Sequence, residues 1–149
     1  MKRLLVAILL VAGLSSLSLA QSPGYGLYSG WPTYLGVQFQ TANLRLGAGL
    51  GWFGFAGDAG LILAKSAIPT EQGVSLDWYY GAGVGVGIWS FYGTGGFTVF
   101  PHGLLGVEYR FPGMPFSAYG EVNVGVTVGL GTLTRFYPDF AGRVGVIFR

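Results

Sequence analysis

Leu76-Asp77-Trp78-Tyr79-Tyr80-Gly81-Ala82-Gly83-Val84-Gly85-Val86-Gly87-Ile88 reads as two interleaved sequences. Its even positions are Leu76, Trp78, Tyr80, Ala82, Val84, Val86 and Ile88, whereas its odd positions are Asp77, Tyr79 and then glycine four times. Successive side chains of a strand point to opposite faces, so a period of two sustained this long means an extended segment with two chemically different sides. Phe116 to Val128 repeats the pattern, with Phe116, Ala118, Gly120, Val122, Val124, Val126 and Val128 against Ser117, Tyr119, Glu121, Asn123, Gly125 and Thr127. The alternation recurs in 44–53, 105–111 and 140–149. Glycine every two to four residues argues against helix, since each one costs about 1 kcal/mol in a helix interior.

Working outward, short polar or proline-containing breaks fall at 41–43, 69–73 and 112–115. Aromatic and glycine-rich connections lie around 31–33, 54–58, 89–101 and 129–139. These divide the chain into eight strands, near 24–30, 34–40, 43–53, 58–68, 74–88, 102–111, 116–128 and 139–149. Short turns alternate with what read as longer loops, and both ends fall on the short-turn side. An even number of antiparallel strands arranged in this way is the plan of an all-β, eight-stranded antiparallel transmembrane β-barrel.

Composition supports the same class. Of 149 residues, 51% are hydrophobic, 9% are charged, 28 are glycine and none is cysteine. Soluble domains carry about 25% charged residues, so a water-facing enzyme surface is hard to build from this set, and disordered chains are polar and poor in aromatics. Without cysteine there is no disulfide scaffold, thiolate metal site or cysteine nucleophile. Lys2 and Arg3, the apolar run 4–14 and the small-residue segment ending Ser18-Leu19-Ala20 fit a secretory signal peptide. The expected domains are therefore a signal peptide at 1–20 and a barrel at 21–149. Removing Lys2 and Arg3 leaves six basic and six acidic residues, so the formal +2 disappears. A nucleic-acid partner thereby loses its electrostatic footing.

Parity assigns the faces. The polar parity is mostly glycine with few charges, so the apolar parity is expected to meet lipid and the polar parity to line the lumen. Arg45, Asp77, Glu108, Arg110, Glu121 and Arg143 all fall on the lumen parity, three of each sign and each near a short turn or the C-terminus. They are expected to cluster in the periplasmic half as a packed polar plug, with a selectivity filter as the alternative, because an eight-stranded interior is just wide enough for side chains to fill. Lys65 falls on the apolar parity of strand four, which implies either a bulge that switches parity or a snorkelling amine. Trp31, Trp52 and Trp89 lie where strands enter the longer loops, and Trp78, Tyr109, Phe111 and Phe116 lie near the short turns. Together they read as two aromatic girdles.

These features resemble the small eight-stranded outer-membrane barrels of the OmpX type and the membrane domain of OmpA, over essentially all of 21–149. The C-terminal alternation Val144, Val146 and Phe148 is similar to the insertion signal of such barrels, although this chain ends on Arg149 in place of an aromatic. The resemblance implies outer-membrane lipids and the outer-membrane assembly machinery as partners, while export and the expectation of no cofactor come from the residues themselves. Some barrels of this size modify lipids, and the deacylase branch carries His and Ser two apart on one strand. Here His102 is followed two residues on by Leu104, so that match fails. Ser90, Thr98 and Ser117 remain as hydroxyls with no evident base, one histidine and scattered carboxylates have no metal-ligand spacing, and Gly81-Ala82-Gly83 is not followed by a phosphate-binding helix. The expected role is a structural or interaction scaffold with a largely plugged lumen, not an enzyme. The alternatives are a narrow porin-like small-solute pore and, less favoured, a lipid-modifying enzyme. The lumen-parity glycines at 47, 49, 51, 81, 83, 85 and 87 are read either as room for curvature and for Tyr79, Tyr119 and Phe53, or as an outward-opening pocket.

Overall fold

The computed structural model describes residues 23–51, 54–70, 74–91, 94–131 and 134–149. The expected signal peptide at 1–20 and the girdle residue Trp52 lie outside the described residues, as does Phe53. The strands are β1 (Gly24–Gly30), β2 (Thr33–Gln40), β3 (Leu44–Gly51), β4 (Gly54–Ala67), β5 (Ser75–Phe91), β6 (Thr94–Arg110), β7 (Phe116–Leu130) and β8 (Arg135–Phe148). Each pairs antiparallel with the next, and β1 pairs with β8 to close the barrel. Closure gives every strand two neighbours, although β8 runs past β1, which pairs with it only over 143–148.

Strand number, order and closure match the expectation from periodicity. Loop lengths do not. Residues 89–101 and 129–139, read as long connections, are mostly strand: β5 and β6 pair from Ser75↔Arg110 up to Phe91↔Thr94, and β7 and β8 pair up to Gly129↔Arg135. That rim carries only the connections 31–32, 52–53, 92–93 and 131–134, while 41–43, 68–74 and 111–115 join strands at the other. Near the first rim, glycine and aromatic residues occupy both parities. The side-chain contrast that reveals a strand is lost there, although the backbone ladder continues.

Local chemistry explains the connection between β6 and β7. Phe111-Pro112-Gly113-Met114 closes with the Met114 N–H donating to the Phe111 carbonyl at 3.1 Å, and Gly113 has φ 73°. Proline second and a positive-φ glycine third define a type II turn.

The faces divide as parity predicts. Outward positions expose Leu27, Val37, Phe55, Leu105, Val124, Phe140 and Val144, whereas Gln38, Arg45, Asp58, Glu108, Glu121, Asn123 and Arg143 are buried inside. Interior tyrosines stand over glycines on neighbouring strands: Tyr28 opposite Gly36, Tyr79 opposite Gly106 and Tyr119 opposite Gly145. A methyl on Gly145 would lie 2.6 Å from Tyr119 Cε1 and 2.8 Å from the Leu27 carbonyl, while one on Gly120 meets nothing within 4 Å. Gly145→Ala is therefore expected to cost about 1–3 kcal/mol through overpacking. Gly120→Ala should stay within about 0.5 kcal/mol. Equal urea midpoints for the two variants would contradict this packing.

Candidate functional site

The interior is organised by two arginines. Arg143, on β8, donates from Nη1 to Asp58 Oδ2, from Nη2 to Gln38 Oε1 at 3.0 Å and from Nε to Tyr119 Oη at 3.1 Å. Its guanidinium carbon also stands 3.9 Å from the Tyr28 ring centroid. Tyr28 donates its hydroxyl to Asp58 Oδ1 at 2.8 Å and lies 2.9 Å from Thr33 Oγ1. Arg45, on β3, donates from Nη1 to Glu121 Oε2 at 2.5 Å and from Nε to Gln40 Oε1 at 3.1 Å. Tyr79 donates to the same Glu121 oxygen at 3.0 Å, and Arg45 lies 4.5 Å from the Tyr119 ring centroid. Arginine suits both positions because its planar fork serves several acceptors while its face rests on aromatic rings. Side chains from seven strands thus meet across the lumen.

A second network lies toward the rim that holds the C-terminus. Glu108 accepts from Lys65 Nζ at 2.6 Å, from Arg149 Nη1 at 2.6 Å and from Ser117 Oγ at 2.7 Å. Asp77 pairs with the half-exposed Arg110 at 2.6 Å and with Lys65 at 3.4 Å. Lys65 faces inward because the β4–β5 register shifts between Ile62 and Ala64, bringing Lys65 opposite Tyr79. Of the two explanations for its parity, the bulge holds. Arg149, which follows β8, ties that strand to β6 through Glu108.

All six charges expected inside lie on the lumen face, divided between two hydrogen-bonded networks. Arg110, Asp77 and Glu108 sit toward the turn rim, whereas Arg45, Glu121 and Arg143 form the central network, which reaches Thr33 at the first hairpin. Strand stagger in a closed barrel separates residues at similar distances from their own turns. Asp58, Lys65 and Arg149 complete the ion pairs. Asp58 was hidden because β4 begins at Gly54, not at 58, so its parity was unreadable.

Most lumen glycines are filled positions. A Cβ at Gly83 would meet the His102 ring and one at Gly85 would meet Pro32, both within about 3 Å. His102 is itself a buried mid-strand residue stacked on Phe100 at 4.7 Å, its Nδ1 2.9 Å from the Phe100 carbonyl. It lies well inside β6, which begins at Thr94 and not near 102 as the periodicity predicts. Ser117 is bonded to Glu108 and Arg149 in the other network.

The aromatic girdles also need redrawing. Around the turn rim the outer wall carries Phe39 and Tyr25, in ring contact at 5.3 Å, and a run through Phe148, Phe116, Phe111 and Tyr109 with centroids 4.7–6.0 Å apart. Trp78 stacks on Tyr80 at 5.8 Å on β5. Trp31 and Trp89 do not belong to an outer girdle. Both border the barrel mouth together with Thr98, Gly87 and Tyr137. Trp89 shares the inward parity of Asp77 and Tyr79, and Trp31 lies in a turn where parity has no meaning. Outward aromatics toward that rim are instead Tyr34, Phe55, Phe97 and Phe136. Val144 and Phe148 of the C-terminal alternation face outward, with Ile147 buried between strands' inner faces.

Comparison with protein-family models, curated proteins and solved structures finds no match. The geometry of the barrel and its interior therefore carries the functional reading.

Proposed function

We propose that the chain is an exported outer-membrane barrel of a two-membrane bacterium, cleaved after Ala20, acting as a non-catalytic structural or interaction scaffold with a side-chain-filled lumen. The observation that carries this reading is the inverted distribution of polarity. Phe55, Phe136 and Phe140 are 71, 70 and 69% exposed, while Arg45 and Glu108 are 1% exposed. Water penalises that arrangement and hydrocarbon rewards it. Outer-membrane lipids are then the partner of the outer wall, and the outward residues of β8 are what the assembly machinery would read. A narrow pore is the second reading. It is favoured by buried polar atoms that lack a partner among the described residues, Gln38 Nε2, Gln40 Nε2 and Arg45 Nη2, which leave the network polar toward small solutes.

The expected result is a chain with the mass of residues 21–149 that stays in the membrane pellet after alkaline extraction and gives no discrete conductance in planar bilayers. Release into the supernatant would overturn the membrane reading. Reproducible single-channel steps would replace the plugged scaffold with the pore.

A further inference from the structure

The barrel mouth holds two adjoining cavities of about 350 and 410 Å³ that share Trp89, Thr98 and Tyr137. Trp31, Pro32 and Phe55 border the first and Arg135 the second, while Gly87 and Ala56 lie on the inner side. The walls are aromatic and the polar groups are few, the usual make-up of a small-molecule site. Those polar groups are biased toward donors. Trp31 Nε1 is buried without a hydrogen-bond acceptor among the described residues. Arg135 has no ion pair there either. The acid nearest to it along β8, Asp139, is engaged by the Thr127 hydroxyl at 2.6 Å and by the Phe140 N–H at 2.9 Å. Asp58, further down, is held by Arg143 and Tyr28.

We propose that this mouth binds a small anionic amphiphile, an apolar or aromatic body carrying a carboxylate, with the body between Trp31, Trp89 and Tyr137 and the anion at Arg135. The unpaired Arg135 guanidinium at the edge of these rings complements a carboxylate and repels a cationic head group. Gly87 supplies the depth. A Cβ placed there stays 4.0 Å from Thr98 Cβ and from the Phe55 carbonyl, so a longer side chain would enter the cavity without disturbing the wall. The site belongs to the barrel itself, and it stands whether the outer wall meets lipid or detergent.

The test is calorimetric titration of the protein in zwitterionic micelles with 4-phenylbutanoate, 4-phenylbutan-1-ol and 4-phenylbutylammonium, with the Trp31 indole N–H resonance as a local reporter. The carboxylate is expected to bind about tenfold more tightly than the alcohol, the scale of one charge-assisted hydrogen bond. Arg135→Gln should erase that preference, and Gly87→Met should remove binding of both while circular dichroism stays unchanged. Equal affinity for acid and alcohol, or undiminished binding to Gly87→Met, would overturn the proposal. Displacement of phenylbutanoate by a long-chain fatty acid dissolved in the micelle assigns the natural ligand to the membrane. Failure to displace assigns it to the aqueous phase.

Discussion

Replacing Arg143 with methionine is expected to destabilise the barrel by about 3–5 kcal/mol, the cost of leaving a buried charge without its partner. Asp58 would retain only the Tyr28 hydroxyl at 2.8 Å. Gln38 and Tyr119 would lose little, because the Tyr119 hydroxyl already donates to Gln38 Oε1 at 2.6 Å. That asymmetry makes the partner change informative. Combining Arg143→Met with Asp58→Leu should restore at least half of the loss, since removing both members of a buried pair is often neutral. Tyr28 keeps Thr33 as a hydrogen-bond partner in the double variant. Urea unfolding of the refolded chain in phospholipid vesicles measures all three free energies. A single-variant loss under about 1 kcal/mol, or additive losses in the double variant, would show that the central network does not hold the strands together.

Val124→Lys tests the outer wall. Val124 is 58% exposed, opposite Gly103 on β6 and Phe140 on β8, midway along β7. If hydrocarbon surrounds it, lysine there should cost about 2–4 kcal/mol in vesicles. On a water-facing wall the same substitution would change stability by no more than about 0.5 kcal/mol. The two environments therefore differ by more than the error of an unfolding measurement.

How far the sequence could be read depended on whether neighbouring positions differed in environment. In β5 and β7 the inward and outward residues contrast at almost every step, and Asp77, Glu108, Glu121 and Arg143 could be placed inside from parity alone. In β4 the register shift between Ile62 and Ala64 reverses that parity, and periodicity alone leaves Lys65 either a bulge or a snorkelling amine. Asp58 was missed because the glycine and alanine around it give no alternation. Trp31 and Trp89 lie at the height of a girdle, yet a girdle also requires an outward direction, and Trp89 has the opposite parity.

The sequence by itself determined the all-β class, eight strands and the division of residues between two faces, because side-chain direction in an extended chain follows from covalent geometry with a period of two. Closure and partnership were decided only in three dimensions. Arg143 and Asp58 are 85 residues apart, and Arg45 and Glu121 are 76 apart. Which charges meet depends on strand stagger and on the bulge in β4, neither of which leaves a periodic trace. The mouth likewise exists only where the first hairpin, β5 and β8 converge, so its rings and its arginine have no shared pattern along the chain.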